Sequence, residues 1–415
     1  MRLHKLVIVA LLVGISLSSC GSGNSQSEVL LVPEKYPTIQ AAVDKAKDGD
    51  LVLISPGVYR EGVKVNKDQI VIRGLDRNEV IIDGGDELIN GFEVSGDSVA
   101  IENLTVKSFR QNGIVFSGAL REMKEDYGVY GSESNALDGY RVSYVTSFNN
   151  GLYGIYAFAS KNGLIEHSYA SGHPDSGLYV GQCRPCNVVI RASVAENNAI
   201  GYYGTNASTN VWVVESVFRG NRLGIAPNSQ EAEMLSPQKG ATIAANVVED
   251  NDNPGAPVIP DGFFGGGIVV GGGLSNLITQ NLVRGHSWAG IAVMPMSDVL
   301  PSENRIIENE SRENGDDLLF IGQPQDVLKN CFEGNQFSTS TPKMIERSLP
   351  CGAESKISEA IKYAMPVAPP GPNYRTMPTP AAQRSMPNVR NAPLLLPIVE
   401  PVYPSVVELK VPTSK

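Results

Sequence analysis

The sequence has few aromatic residues, few histidines and little helical periodicity. Aromatic residues make up 7% of the 415 residues, and only four residues are histidine. Beyond the N-terminal segment, apolar residues come in short, β-branched runs separated by Gly, Asn, Ser and Asp. This pattern argues against a helical protein and indicates many short strands joined by tight turns.

Positive charge is also scarce. Lys and Arg number 34 against 44 Asp and Glu, a formal net charge of −10. Such a balance argues against nucleic acid or an anionic membrane surface as the main partner. It also disfavours binding of polyanionic sugars unless cations or a local basic patch assist.

What the sequence does contain is a repeat. A glycine followed by an apolar or aromatic pair recurs at intervals of 23, 24, 23, 43 and 23 residues. These glycines are Gly154, Gly177, Gly201, Gly224, Gly267 and Gly290. About 23 residues hold three short strands and three turns, so the repeat predicts stacked coils of a parallel β-helix. The long interval predicts one coil that carries an insertion, near 227–265.

A polar side chain precedes most of these glycines at a similar distance. Asn150, His173, Asn197 and His286 each lie four residues before their glycine. Amides at one turn of successive coils can bond to their neighbours and satisfy buried backbone groups. We therefore expect a polar ladder along the coils.

Residues 29–62 carry a specific family resemblance. The segment from Tyr36 to Ala46 places Ile39, Ala42 and Val43 on one helical face, and the strand Leu51 to Ile54 follows Gly49. This segment, together with Pro56 to Glu61, resembles the N-terminal cap of the pectin-lyase-like right-handed parallel β-helix superfamily, which includes pectinesterases and alginate epimerases. The resemblance implies an all-β solenoid over 29–337, closed by a helical cap. The catalytic motifs of polygalacturonases, pectinesterases, alginate epimerases and pectate lyases are absent, so no catalytic residue carries over.

The N-terminus predicts export. Residues 1–20 contain a short basic region and an apolar run that is too brief to span a bilayer, ending at Leu17-Ser18-Ser19-Cys20-Gly21. This ending resembles the bacterial lipobox, which implies lipidation of Cys20 and anchoring at the cell envelope through the lipid alone. Residues 21–28 would form a tether. The alternative is an ordinary secretory peptide with an incidental cysteine.

Three further segments depart from the repeat. A charged insertion lies near 119–138, and residues 338–364 are expected to form a C-terminal cap that includes a helix over 355–363. Of the 27 prolines, 12 fall in the last fifty residues. The tail 365–415 is therefore predicted to be extended or disordered, although its Leu394 to Leu396 segment could lie along the coils.

The four remaining cysteines form two pairs by position, Cys183 with Cys186 and Cys331 with Cys351. In an exported protein, even pairs favour disulfides, the second tying the C-terminal cap. A redox-active site remains an alternative for the Cys-x-x-Cys pair, but it would need a helix N-terminus in a βαβ frame, which the sequence lacks.

Three tyrosines on successive coils form the candidate binding surface. If the residue after each glycine faces the core, then Tyr156, Tyr179 and Tyr203 point outward and stand about 4.8 Å apart. Such a strip suits the apolar faces and hydroxyls of sugar rings. Two alternatives are that the tyrosines pack under the 119–138 insertion, or that Tyr202 marks the outward row instead.

The candidate catalytic residues lie beside this strip. Asp175, His173 and Arg184 have the residue types that proton transfer at a sugar requires. The alternative for His173 is a structural role in the polar ladder. No cofactor or metal site is predicted; Asp250, Asp252 and Asp261 could supply oxygen ligands for Ca²⁺, but their spacing matches no known loop.

Two functions follow as hypotheses. The first is a lipid-anchored, monomeric β-helix that binds a polysaccharide, with processing by a lyase, epimerase or hydrolase activity left open. The second is a non-catalytic envelope scaffold or a maturation factor.

Overall fold

The computed structural model describes residues 27–121, 135–231, 233–258, 263–397 and 399–413. Within these residues the chain forms three long parallel sheets, with one strand from each coil entering each sheet. This is the right-handed parallel β-helix that the repeat and the family resemblance predict.

Sheet A has twelve strands, sheet B ten and sheet C eleven. Sheet A contains β1 (Val29–Val32), β2 (Leu51–Ile54), β5 (Val71–Gly74), β8 (Val99–Glu102), β11 (Leu137–Ser143), β14 (Ser160–Glu166), β17 (Val188–Arg191), β20 (Ser208–Val214), β23 (Lys239–Ala244), β26 (Leu277–Thr279), β29 (Arg305–Ile307) and β32 (Cys331–Glu333). Sheet B contains β3 (Gly57–Tyr59), β6 (Val80–Asp83), β9 (Thr105–Lys107), β12 (Thr146–Phe148), β15 (Tyr169–Ser171), β18 (Val194–Glu196), β21 (Val217–Arg219), β24 (Val247–Glu249), β27 (Leu282–Arg284) and β30 (Glu310–Arg312). Sheet C contains β4 (Val63–Val65), β7 (Phe92–Val94), β10 (Ile114–Ser117), β13 (Ile155–Phe158), β16 (Ser176–Gly181), β19 (Ile200–Thr205), β22 (Leu223–Asn228), β25 (Gly266–Gly271), β28 (Ala289–Met294), β31 (Asp316–Phe320) and β33 (Ser340–Thr341).

The N-terminal end is closed by helix α1 (Ile39–Lys45), as the sequence predicts. The Thr38 hydroxyl accepts a hydrogen bond from the Ala41 amide at 3.1 Å, and the Glu61 carboxylate accepts from the next free amide groups, those of Ile39 and Gln40. Its apolar face is buried against the first coils. The helix thus covers core and backbone that the end of a solenoid would otherwise leave open.

The interior combines an apolar core with polar ladders at the turns. In one ladder, each coil contributes a buried or half-buried amide or imidazole that bonds to the next. Its members are Asn150, His173, Asn198, Asn221, Asn251, His286 and Asn314. The prediction is wrong by one residue at Asn197, because that residue has a left-handed φ of 57° and its side chain accepts from Asn253 instead.

The long interval between Gly224 and Gly267 is not a single insertion. Strands β23 and β24 lie inside it and complete a normal coil. The expected 227–265 loop therefore divides into two excursions, one on each side of this coil. The repeating glycine marks strands of sheet C, so it did not reveal these strands of sheets A and B.

The C-terminal end is closed differently from the prediction. No helix forms over 355–363; instead the short helix α2 (Ile345–Ser348) buries Ile345 against the last coil. The Cys331–Cys351 disulfide ties β32 to the segment after α2, and Cys183–Cys186 closes a turn between sheets C and A. Both predicted disulfides are therefore present.

The Pro-rich tail is extended and docked on the outside of the solenoid. Arg222 donates a hydrogen bond to the Pro369 carbonyl, and Arg77 to that of Arg384 at 3.1 Å. Near the N-terminal end, Arg73 donates to three tail carbonyls at 2.9–3.2 Å. The tail then crosses sheet A, where Tyr403 stacks on Trp212 with ring centroids 5.8 Å apart.

Candidate functional site

The candidate site lies on the outer face of sheet C. Tyr156 pairs with Tyr179 across β13 and β16, and Tyr179 pairs with Tyr203 across β16 and β19. All three lie outside the core, whereas Tyr202 is buried within it. The predicted side-chain parity is thus the observed one, since alternate strand residues face opposite sides.

The tyrosines form a packed cluster rather than an open strip. The centroids of Tyr156 and Tyr179 are 4.7 Å apart, and those of Tyr179 and Tyr203 are 6.1 Å apart. Tyr153 adds a fourth ring, stacked on Tyr156 at 4.4 Å and tilted 5.1 Å from Tyr179. Tyr179 is only 4% exposed, while the others are half-buried. We call Tyr153, Tyr156, Tyr179 and Tyr203 the tyrosine cluster.

One carboxyl group lies at the start of β16, beside this cluster. Burial raises the pKa of Asp175 to about 6, and the nearby hydroxyls of Tyr153 and Ser176 oppose that rise. The Asp175 Oδ1 atom and the Ser176 hydroxyl are both buried without a hydrogen bond of good geometry. A buried acceptor of this kind is costly unless a ligand or water supplies a donor.

A second carboxyl group lies at the opposite end of β16. Glu233 accepts hydrogen bonds from Gln182, which follows the strand, and from Asn206 at 3.2 Å. Burial raises its pKa, and these two amides oppose the rise. Burial raises the pKa of the Tyr203 phenol, its hydrogen bond with Gln230 opposes the rise, and the charges of Asp175 and Glu233 add to it.

The three predicted catalytic residues are not brought together. His173 is fully buried in the polar ladder, where its Nδ1 lies 2.8 Å from Asn198 Oδ1 and its Nε2 lies 3.2 Å from Asn150 Nδ2. Burial lowers its pKa to about 4. Its geometry is that of the structural alternative rather than of a proton carrier open to a substrate.

Arg184 is separated from Asp175 by the length of β16. Its guanidinium donates to the carbonyls of Leu235 at 2.6 Å and Pro237 at 3.0 Å, so it holds the loop after β22. Only Asp175 of the proposed catalytic set therefore lies at the tyrosine cluster. Arg184 instead positions the loop that carries Glu233.

Two members of the site were missed from the sequence. Tyr153 stands immediately before the glycine of its repeat, three residues from Tyr156 and ahead of β13, so strand alternation does not place it on the outward row. Glu233 lies in an irregular loop, and nothing in its neighbourhood repeats. It reaches the cluster only because the loop folds back over β16 and β19.

The structure gives little support to the other predicted sites. Cys20 and Asp261 lie outside the described residues, and Asp250 is exposed. Among the described residues, no group of three or more His, Cys, Asp or Glu side chains could hold a metal ion. Nor is any helix in this part of the chain long and apolar enough to cross a membrane.

Comparison with known proteins supports the fold. The family model described as "Right handed beta helix region" matches residues 90–233. The right-handed parallel β-helix fold that the resemblance implies is thereby confirmed. A search of the curated proteins finds no significant match.

Several solved structures are similar to this chain at low identity. The A-module of a mannuronan C-5 epimerase from Azotobacter vinelandii is 15% identical, with 73% of this chain and 83% of that chain covered and a TM-score of 0.46. A lacto-N-biosidase from Eubacterium ramulus is 13% identical, with coverages of 73% and 64% and a TM-score of 0.48. A DFA-IIIase from Arthrobacter chlorophenolicus is 14% identical, with coverages of 80% and 83% and a TM-score of 0.44.

Proposed function

We propose that this β-helix binds a glycan on the outer face of sheet C. The observation that carries the proposal is the tyrosine cluster, in which phenol rings from successive coils stand in register beside two carboxyl groups. Ring faces and edges pack against the C–H faces of sugars, and phenol and carboxylate oxygens accept hydrogen bonds from their hydroxyls. A rigid sheet holds these groups in place, which reduces the entropy cost of binding.

The geometry favours binding over hydrolysis. A glycosidase places two carboxyl groups roughly 5–10 Å apart across one bond. Here the carboxyls are held at the two ends of β16, whose six residues at about 3.3 Å each span about 20 Å. Anchoring at opposite ends of one strand supports binding rather than a facing pair of carboxyls on one glycosidic bond.

The charges also disfavour a lyase or an epimerase acting on uronic acids. Such chemistry needs a cation or an acid to neutralise the sugar carboxylate while a base removes the C5 proton. Among the described residues, no Lys or Arg contributes to the pKa of Asp175 or Glu233. Asp175 has the pKa of a proton carrier, so turnover is best sought directly, as products formed on any glycan that binds.

Binding is tested on a glycan array with the wild-type chain and the variants Tyr156→Ala and Tyr203→Ala. The control is Tyr144→Ala, which removes a half-buried tyrosine that stacks on His167, away from the cluster. We expect the cluster variants to lose most binding, since each ring contributes on the order of 1 kcal/mol or more, and the control to retain it. Absence of binding to any glycan would favour the scaffold or maturation hypothesis.

We also propose that the protein is exported and lipid-anchored at the bacterial cell envelope. This rests on the lipobox-like sequence that ends at Cys20. The Cys20→Ala variant should lose lipid labelling and leave the membrane fraction. If it is labelled and retained like the wild type, the anchoring proposal is wrong.

A further inference from the structure

Two acidic groups lie beside the tyrosine cluster, and among the described residues neither has a basic partner. Asp175 and Glu233 form no ion pair with any described residue, and only amides and hydroxyls oppose the rise in pKa of either carboxyl. The nearest predicted cation, Arg184, is engaged by the Leu235 and Pro237 carbonyls. Within the part of the chain that the structure describes, no basic side chain neutralises the negative charge at this face.

This arrangement contrasts with the other carboxylates on the outside of the solenoid. On sheet A, buried Glu102 lies 2.6 Å from both Arg73 and Arg141, and Glu166 lies 2.6 Å from Arg191. On sheet B, Glu196 lies 2.6 Å from Arg219 and Glu249 lies 2.7 Å from Arg284. These carboxylates of sheets A and B are thus paired with arginine at the neighbouring coil, whereas among the described residues Asp175 and Glu233 have no such partner.

The buried acceptor atom of Asp175 indicates that a ligand should supply a hydrogen-bond donor. Asp175 Oδ1 is excluded from solvent and lacks a donor, although the Tyr153 phenol lies beside the carboxyl group. An ammonium group offers three donors and a positive charge, and it is also attracted to electron-rich tyrosine faces. A neutral hydroxyl would satisfy the hydrogen bond but not the charge.

We propose that the ligand of the tyrosine cluster is a glycan that carries free amino groups, with Asp175 and Glu233 binding the ammonium groups. This proposal rests on the proposed glycan binding and names its substrate class. The two carboxyls, held at opposite ends of β16, suit an oligomer with repeated amines better than a single sugar. Uronic acid polymers, in contrast, would meet unpaired carboxylates.

Binding of an ammonium group at Asp175 should be accompanied by release of a proton, which a neutral glycan would not cause. Because burial raises the pKa of Asp175 to about 6, part of the population is protonated in mildly acidic solution. A bound cation favours the carboxylate, so binding should release a proton and should strengthen as pH rises through about 6. A ligand with permanent charge is needed to see this effect, because ordinary amino sugars titrate in the same range.

The experiment compares three oligosaccharides on one backbone by isothermal titration calorimetry with the full chain. These are a β-1,4-glucosamine oligomer, its fully N-acetylated form and its N-trimethylated form. The variants are Asp175→Asn and Glu233→Gln, and the control is Asp48→Asn, which removes an exposed carboxylate at the N-terminal end. All variants are first shown to unfold at the wild-type temperature or above.

We expect the amino and trimethylated forms to bind more tightly than the acetylated form. Asp175→Asn should weaken binding of the amino form about 10- to 100-fold, the usual range for a hydrogen bond to a charged group. The trimethylated form makes only the charge contact, so its binding should weaken less and its proton release should be abolished, while Asp48→Asn changes neither. Equal binding of all three forms, lost in Tyr203→Ala, would overturn this inference and leave glycan binding intact. The inference would also be overturned if both carboxyl variants still preferred the cationic oligomers to the acetylated one. That preference would then reflect the overall charge of the protein rather than these two carboxyls. Failure of every form to bind would refute the amine proposal, while the glycan array decides separately whether any glycan binds.

Discussion

His173 shows how one residue can satisfy a structural pattern and imitate a catalytic one. Its Nε2 faces the amide nitrogen of Asn150, a donor, and its Nδ1 faces the carbonyl oxygen of Asn198. The neutral tautomer with the proton on Nδ1 fits both neighbours, whereas a protonated ring would direct N–H against N–H. The environment therefore excludes the charged form, and burial adds to this exclusion.

The exclusion of the charged His173 ring should make the stability of the protein depend on pH. The pKa of His173 falls from 6.5 to about 4 on folding, so the unfolded chain binds the proton more readily. Stability from this group is complete above pH 6.5 and is lost as pH falls toward 4, by on the order of 3 kcal/mol. His173→Asn should remove that loss and keep the ladder, because Asn198 and Asn221 fill the equivalent position one and two coils later.

Urea unfolding at pH 7.5, 5.5 and 4.5 provides the measurement. The variant should match the wild type at pH 7.5 to within about 1 kcal/mol and exceed it progressively at lower pH. The raised pKa of Asp175 works in the opposite direction in both proteins, since its folded form binds the proton more readily. The comparison between variant and wild type cancels this contribution. Identical pH profiles would show that His173 is not held neutral.

At the scale of elements, the coils could be predicted from the sequence, but the tail and loops that pack on their outer surface could not. Glycine spacing and β-branched runs define local geometry, so they located the strands, the N-terminal helix and the outward tyrosines. The docking of the tail depends on Arg73 and Arg77 meeting carbonyls more than 300 residues away in sequence. Proline-rich composition predicts an extended chain, but it says nothing about which surface accepts that chain. The same reasoning explains why the loop residue Glu233 was missed.

The sheet A end of the tail offers a matched test of docking. Leu394 and Leu396 pack on the outward row Leu51, Leu53 and Val71, whereas Leu395 between them is 52% exposed. The double variant Leu394→Ser/Leu396→Ser should release this part of the tail, because it gives up about 1–2 kcal/mol of apolar burial. Trypsin cleavage after Arg390 should then be about tenfold faster or more. Leu395→Ser serves as the control and should cleave like the wild type; equal acceleration in both would mean that the leucines do not hold the tail.

The molecule combines a linear stack of coils with a C-terminal tail that connects coils lying far apart in that stack. Coils contact only their neighbours, so a solenoid can lose its end coils without unfolding throughout. The tail instead joins distant coils: it contacts Arg222 on one side of the molecule, Arg73 near the N-terminal helix and Glu215 on its return across sheet A. It covers Leu51, and it supplies the carbonyls that satisfy the fully buried Arg73 guanidinium.

Removal of the tail should therefore weaken the N-terminal coils selectively. In a chain that ends at Met365, Arg73 loses all three carbonyl partners, and the apolar row of β2, β5 and β8 becomes exposed. Each lost partner of a buried charged group costs on the order of 1–3 kcal/mol, so amide hydrogen exchange in these strands should accelerate at least tenfold. Exchange in β25 and β28 should change little, because the Trp288 bond to the Ala364 carbonyl remains.

A chain that ends at Glu400 keeps the Arg73 contacts and should retain slow exchange in β2 and β5. Uniform acceleration along the solenoid would show that the tail stabilises all coils alike, and unchanged exchange would show that the N-terminal coils do not depend on it.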